Sequence, residues 1–398
     1  MAPMLQEDEG KFSEVILVFV IIFLLTLGEQ LWKEYLPKYI IALGASIFVL
    51  GIFKAFTKLL EAISQYPSGV LSDKLGRYSS MLLFVSMGIL GYVIYEFALS
   101  WEWIFAGSVL VLSTSVYFQP TLFAYIGDKL PPKKRGKAFS VQSILKRIPI
   151  IVAPPLGGYL ITTFGIVQGV KLGLSITIFL AVLSLIILIF MRPKKESRKA
   201  NLQELSNNKM DQKRKNVHIP EKMRYLLISD ILARFGRNIV DAYIIIYVID
   251  ILGYSPVFFG FMISLQMTVA ILSYFPAGIL ADKVGRKIPI AITFTCFAAF
   301  PLFLILPINI FAPLLSFGLA GFREFGEPAR KAMIVDLTPP ETKGQMIGSY
   351  YTARSLAVLP ASIIGALIWE ISPEIPFIIA SVISIFGLIV FLLKVENQ

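Results

Sequence analysis

One cysteine and one histidine occur in 398 residues, and charge is scarce for the length. Each scarcity excludes something. Cys296 falls inside an apolar run, so no disulfide forms within the chain, and the position calls for a small core residue. His218 lies in a hydrophilic stretch, which removes a histidine-based metal site and a histidine-based triad. No G-x-x-x-x-G-K-[ST] loop is present, so an ATP-driven pump would need a partner to supply the ATPase, and secondary transport is favoured. Charged residues make up 16% of the chain, against about a quarter in globular proteins. With 56% hydrophobic residues and a mean hydropathy of +0.74, an ordinary soluble enzyme is excluded and a polytopic membrane protein is expected. No cofactor or metal is expected. The N-terminus begins Gln6-Glu7-Asp8-Glu9, without the basic start and small-residue cleavage site of a signal peptide, so the first apolar run is expected to be retained.

What is there, in place of charge, is a series of apolar runs. A bilayer core needs about 20 apolar residues per helix. Such runs fall near 13–36, 46–71, 79–98, 102–126, 138–161 and 168–191, and again near 223–250, 255–281, 287–307, 310–335, 344–369 and 374–394. The expected architecture is all-α, with twelve transmembrane helices in two halves, 1–191 and 222–398, joined by a basic cytoplasmic linker over 192–221. A net charge of +11 could suggest a nucleic-acid partner, but its placement gives another reason. Lys133, Lys134, Arg135 and Lys137 share one loop, and Arg192, Lys194, Lys195, Arg198 and Lys199 begin another, whereas the alternate loops carry Glu96, Glu102, Glu370 and Glu374. Basic loops on one side are the positive-inside pattern, which puts both termini in the cytoplasm and the chain in the cell membrane.

The two halves repeat each other. Gly69-Val70-Leu71-Ser72-Asp73-Lys74-Leu75-Gly76-Arg77-Tyr78 is matched by Gly278-Ile279-Leu280-Ala281-Asp282-Lys283-Val284-Gly285-Arg286-Lys287, 209 residues later. Leu43-Gly44-Ala45-Ser46 answers to Leu252-Gly253-Tyr254-Ser255 at the same offset. Asp128 answers to Asp336, Pro120 to Pro328 and Gly157 to Gly365 at 208, which implies one deletion between the third and fourth helices. A polar loop this short between membrane helices must turn tightly, and its glycines permit that.

The repeated loop resembles the signature of the major facilitator superfamily of transporters, G-x-L-A-D-R-x-G-R-[KR]. Gly69, Leu71, Asp73, Gly76 and Arg77 match it in one half; Gly278, Leu280, Ala281, Asp282, Gly285, Arg286 and Lys287 match it in the other. The resemblance implies two pseudo-symmetric six-helix bundles related by an axis along the membrane normal, with the transport site between them near the midplane. It also implies cytoplasmic latches made of Asp73, Arg77 and Asp128 in one bundle and Asp282, Arg286 and Asp336 in the other. Ala153-Pro154-Pro155-Leu156-Gly157-Gly158 resembles the G-P-x-x-G-G motif of the superfamily's drug–proton antiporters, with Pro154, Gly157 and Gly158 matching. Small residues there let helices approach closely and seal the outer side. Those antiporters usually carry an arginine in the fourth span. Here the span reads Ser113-Thr114-Ser115-Val116-Tyr117-Phe118-Gln119-Pro120, and Ser115 corresponds to Arg323 of the other half.

Ionisable residues in hydrocarbon cost several kcal/mol, and here they are frequent. The first span carries Glu29, Lys33 and Glu34, and the second carries Lys54, Lys58 and Glu61, of which Lys58 and Glu61 can satisfy each other. In the seventh, Asp230, Arg234, Arg237, Asn238 and Asp241 form one helical stripe, which either lines an aqueous cavity or makes an intrahelical ladder of ion pairs. In the tenth, Arg323 and Glu327 are expected to pair at i,i+4 beside a bend at Pro328, as a proton or substrate switch or as a static brace. Glu29 is expected to be the partner carboxylate of Glu327 or a cation-recognition site, within reach of Arg234 or Arg237 only across the bundle interface. Lys146 and Arg147, with Arg354 as the repeat partner of Lys146, suggest cations facing each other across a cavity. The combined expectation is a secondary transporter working by alternating access as a monomer. Its partners are a small organic substrate, protons and the lipid bilayer, with no nucleic acid. Proton-coupled efflux is the leading reading; an importer of a sugar, amino acid or organic anion, and a non-transporting sensor on the same fold, are the alternatives.

Overall fold

The computed structural model describes residues 2–191, 220–306, 309–338 and 343–396. The linker expected over 192–221 lies outside it except for Pro220 and Glu221, as does His218, and the side chains of Lys133, Lys134, Arg135 and Lys137 lie outside it too. All regular structure among the described residues is helical. The first half comprises α1 (Ala2–Trp32, continued through Lys33–Tyr35 into Leu36–Ala42), α2 (Ile47–Leu75), α3 (Arg77–Glu96), α4 (Trp101–Lys129), α5 (Pro132–Phe164) and α6 (Ile166–Phe190). The second comprises α7 (221–251), α8 (Pro256–Val284), α9 (Lys287–Ile305), α10 (Phe311–Phe322 and Glu327–Asp336), α11 (Lys343–Val358 and Ala361–Trp369) and α12 (Ile375–Lys394).

The repeat in the sequence is a repeat of local chemistry. Ser46 and Ser255 each cap the helix that follows, accepting from Val49 N and Phe258 N at 3.2 Å. Gly76 and Gly285, in the signature loops, have φ of 87° and 85°, a region that a side chain makes costly. Helix irregularities repeat as well. Ser113–Tyr117 is a π turn in α4, and α10 breaks at the matching place, between Phe322 and Glu327. Pro328 starts the second segment of α10, where its missing N–H is harmless.

Close approach of helices is also repeated. A Cβ on Gly157 of α5 would lie 1.8 Å from the Leu31 carbonyl oxygen of α1; one on Gly365 of α11 would lie 2.1 Å from the Ile239 carbonyl oxygen of α7. Between the bundles, α5 packs on α8 and α2 packs on α11. Gly260 meets Pro154 and Gly51 meets Ser362, the two contacts being repeat images of each other.

Nine helices among the described residues are long and apolar enough to cross a membrane. The other three are α2, α7 and α10, the ones that carry charge along their length. The apolar helices turn Phe, Leu and Ile outward: Phe179 and Phe190 of α6 and Leu393 of α12 are exposed, as a lipid-facing surface requires. The charged helices face each other across the middle of the molecule, and their placement defines the site.

Candidate functional site: a charged cavity between the bundles

Three adjoining hollows of about 300, 450 and 630 Å³ lie between the bundles, and Arg237 lines all three. The first is bounded by α1, α2, α4, α7, α8 and α10, with Trp32, Phe53, Phe259 and Phe317 as its apolar wall. The second runs between α2, α7 and α11, the third between α4, α5, α8 and α10.

One end of this space is fastened across the bundles. We call it the far end, opposite the signature loops. Tyr35 donates to the Pro154 carbonyl at 2.7 Å and lies 3.0 Å from the Pro256 carbonyl of the other bundle. The Ser264 hydroxyl of α8 donates to the Ile151 carbonyl of α5, which lacks its usual helical donor because residue 155 is proline. Ser362 of α11 donates to the Gly51 carbonyl of α2 at 3.1 Å, while Tyr243 holds the Ser362 carbonyl at 2.6 Å. Lys38 and Asp250 add an ion pair at 2.5 Å between the ends of α1 and α7. Gly158 stands in the same seam: a Cβ there would meet the Pro256 carbonyl oxygen at 2.4 Å. From this seam the cavity extends towards the signature loops as far as Glu61, Lys331 and Arg354.

The α7 stripe does both things its spacing allows. Arg234, Arg237, Asn238 and Asp241 line the cavity. Arg234 pairs with Asp230 at 2.9 Å, Arg237 with Asp241 at 3.6 Å, and Asn238 donates to the Arg234 carbonyl at 2.8 Å. Asp230, 1% exposed, is the centre of a larger network. It also accepts from Arg330 at 2.7 Å, Arg354 at 3.1 Å and the Tyr350 hydroxyl at 3.1 Å, tying α7 to α10 and α11.

Three expected contacts are corrected. Glu327 pairs with Arg330 at 2.6 Å and Arg234 at 3.0 Å, not with Arg323, because the break in α10 falls between them and abolishes the i,i+4 geometry. Glu29 pairs with Lys33 of its own helix at 2.6 Å, not with an arginine across the interface. Lys146 and Arg354 do not face each other: Arg354 turns to Asp230, and Lys146 lines the hollow beside α8 and α10. Next to Lys146, Arg147 donates to the Tyr274 hydroxyl at 3.1 Å, and that hydroxyl donates to Glu324 at 3.2 Å, a polar chain from one bundle to the other. Lys58 and Glu61 pair at 3.0 Å as their spacing suggests.

Arg323 is left in an unusual position. It is 5% exposed, its Nε donates to the Ala320 carbonyl at 3.0 Å, and its NH1 nitrogen has no hydrogen-bond partner among the described residues. Its guanidinium lies 4.6 Å from the Phe300 ring centre and 5.5 Å from that of Phe297. Ring faces offer a desolvated cation about 2 kcal/mol, and a helix C-terminus adds about 0.3–1 kcal/mol. Removing a cation from water costs several kcal/mol, so these contacts do not discharge it.

At the signature loops, Arg77 pairs with Asp73 at 2.5 Å and Asp128 at 3.3 Å, and Arg286 pairs with Asp336. Asp282 makes no ion pair among the described residues. Among the described residues each cluster joins helices of one bundle and does not cross to the other. Gly69 and Gly278 have open space where a Cβ would stand, so neither is needed for packing here. Asp230 as a hub, Arg330, Tyr35 and the Lys38–Asp250 pair were not singled out from sequence as site residues; the only signals were the unusual burial of charge in α7 and α10.

Comparison with known proteins agrees with this geometry. The profile described as Major Facilitator Superfamily matches residues 13–224 and 226–398. An uncharacterised MFS-type transporter of Methanocaldococcus jannaschii is 25% identical over 393 residues, covering 96% of this chain and 95% of that protein. Multidrug resistance protein 2 of Bacillus subtilis is 21% identical over 378 residues, covering 92% and 91%. Among solved structures, that of the nucleoside transporter NupG superposes with a TM-score of 0.75 at 11% identity, covering 96% of this chain and all of that one, a likeness of fold. With its profile matched across nearly the whole length, and two repeated bundles around a central cavity, the chain belongs to the Major Facilitator Superfamily of transporters.

Proposed function

We propose that the protein is a proton-coupled exporter of a small organic solute, working as a monomer in the cell membrane with its signature loops in the cytoplasm. The observation that carries this reading is the cavity itself: it lies between two bundles that meet along the α5–α8 and α2–α11 seams, with a cluster of polar contacts at the far end. Rocking the bundles about that space exposes it to each side in turn. The multidrug relative in Bacillus subtilis supports the outward direction and a solute of drug-like size.

Coupling needs a carboxylate free to exchange a proton with the cavity. Glu327 is held by two guanidinium groups and Glu29 by Lys33, so both are occupied. Glu34 lines the cavity on the short turn Lys33–Tyr35 and has no ion-pair partner among the described residues. Lys54, Arg237 and Asp241 line the same hollow, so its charge is felt where a solute binds. Glu34 is the proton carrier in this reading, and Glu327 is a brace. The test is flux in proteoliposomes with an imposed pH gradient, screened over lipophilic cations, sugars and carboxylates. Gradient-driven flux of at least one class is expected, with Glu34→Gln losing the driven flux while keeping gradient-free exchange. Driven flux unaltered in Glu34→Gln would remove that residue from the mechanism, and no flux of any class would remove the transporter reading.

A further inference from the structure

The charges around the cavity do not cancel. Among the described residues its lining contains ten Lys or Arg side chains against five Asp or Glu, an excess of five. Two of the cations, Arg234 and Arg354, share Asp230 and Glu327 behind the lining with Arg330, two carboxylates for three guanidinium groups. Lys33, Lys58 and Arg237 have their own carboxylates, Arg147 is joined to Glu324 through Tyr274, and Lys331 stands 3.9 Å from Glu327. Lys54, Lys146 and Arg323 remain, with no ion pair among the described residues; of the lining carboxylates, Glu34 and Glu324 have no ion pair among them, and Glu324 accepts from the Tyr274 hydroxyl.

Arg323 is the most exacting of these. It is buried, it lines two of the three hollows, and one of its terminal nitrogens has no acceptor. A guanidinium offers paired N–H groups in a fork that matches a carboxylate or sulfonate, and in a low-dielectric wall such an anion is held strongly. Beside it, Phe259 and Phe317 supply an apolar surface on the same hollow, and Lys146 supplies a second cation on the other. We propose that the solute is an organic anion with an aromatic or otherwise apolar body, its acidic group held by Arg323 with Lys146 in support. This rests on the transporter reading for its purpose but concerns binding alone. A lipophilic cation would meet the excess of positive charge and leave Arg323 unpaired, so drug-like cations are disfavoured here.

The test is equilibrium binding to the purified full-length protein in nanodiscs, without any gradient. Radiolabelled salicylate and 2-naphthalenesulfonate represent aromatic anions, and tetraphenylphosphonium represents a lipophilic cation. Saturable binding of at least one anion is expected, displaced by the other and not by tetraphenylphosphonium. Arg323→Gln should weaken it at least tenfold, Arg323→Lys less, and Lys146→Gln severalfold. Because Arg323 is buried, folding of each variant is checked by its melting transition; should Arg323→Gln fail to fold, Lys146→Gln, at a partly exposed position, carries the test. Saturable binding of tetraphenylphosphonium in preference to the anions, wild-type anion affinity in the folded variants, or no saturable anion binding would each overturn the proposal. Flux of tetraphenylphosphonium driven by a pH gradient would overturn it while leaving the transporter reading intact. Saturable anion binding without flux would do the opposite.

Discussion

At the residue scale, the molecule uses charge in two unequal ways. Asp230 is buried among Arg234, Arg330, Arg354 and Tyr350, and Arg330 is itself 1% exposed. Removing one partner from such a network leaves an uncompensated buried cation. Asp230→Asn is therefore expected to destabilise the protein by about 3–5 kcal/mol, read from denaturant or thermal unfolding in detergent. The signature-loop pairs are different. Asp73 and Asp128 are about half exposed, so Asp73→Asn should change stability by less than about 1 kcal/mol while cutting transport. A fully active Asp73→Asn protein, equally folded, would contradict any gating role for that cluster. The sequence reveals charges that share one helix face, because i,i+4 spacing is local; hence the Arg237–Asp241 and Arg234–Asp230 pairs are legible. It fails for Arg323 and Glu327, where the helix stops between them, and for Asp230 with Arg330, which meet only because α7 and α10 pack together.

At the element scale, the contacts that hold the far end shut depend on glycine. A methyl on Gly260 would lie 2.5 Å from the Pro154 carbonyl oxygen, and one on Gly51 would lie 2.8 Å from that of Ser362. Both obstacles are backbone atoms of the opposite bundle, so neither can swing aside. Overpacking of this sort costs about 1–3 kcal/mol, and here the strain is relieved by parting the bundles. Gly260→Ala, in a Cys296→Ser background, should increase the labelling of a Ser264→Cys reporter by a membrane-impermeant maleimide several-fold. Unchanged labelling with normal folding would show that the α5–α8 seam is not where the far end opens. The paired signature loops, the repeat offset and the twelve apolar runs make these elements legible in advance, since each is a matter of composition and spacing. Breaks interrupt α1, α4, α7, α10 and α11. Those in α1, α4, α10 and α11 lie within a turn of Pro37, Pro120, Pro328 and Pro360, but of these only the bend at Pro328 is read from the sequence, and the break in α7 has no proline within it.

At the scale of the whole molecule, the distribution of apolarity is the organising fact. Nine helices among the described residues are long and apolar enough to cross a membrane, and α2, α7 and α10 carry their charges to the space between two bundles. The polar part of the far-end fastening, beside the α5–α8 and α2–α11 packing, is slight: a tyrosine hydroxyl shared between carbonyls, two serine hydroxyls and one partly exposed ion pair. A hydrogen bond contributes about 0.5–1.5 kcal/mol and an exposed pair about 0.2–1 kcal/mol, so removing one of each shifts the balance by about 1–2 kcal/mol. That is roughly a 5- to 30-fold change in the ratio of two conformations. The most direct measurement of alternating access is therefore a pair of spin-label distances in nanodiscs, in the Cys296→Ser background. One pair, Phe97→Cys with Phe311→Cys, spans the far end at exposed sites; the other, Lys74→Cys with Lys283→Cys, spans the signature-loop end. With Tyr35→Phe and Asp250→Asn added, a population should grow in which the far-end distance lengthens and the signature-end distance shortens. Far-end lengthening without signature-end shortening, or distances at both ends that stay fixed in the folded variant, would contradict the account.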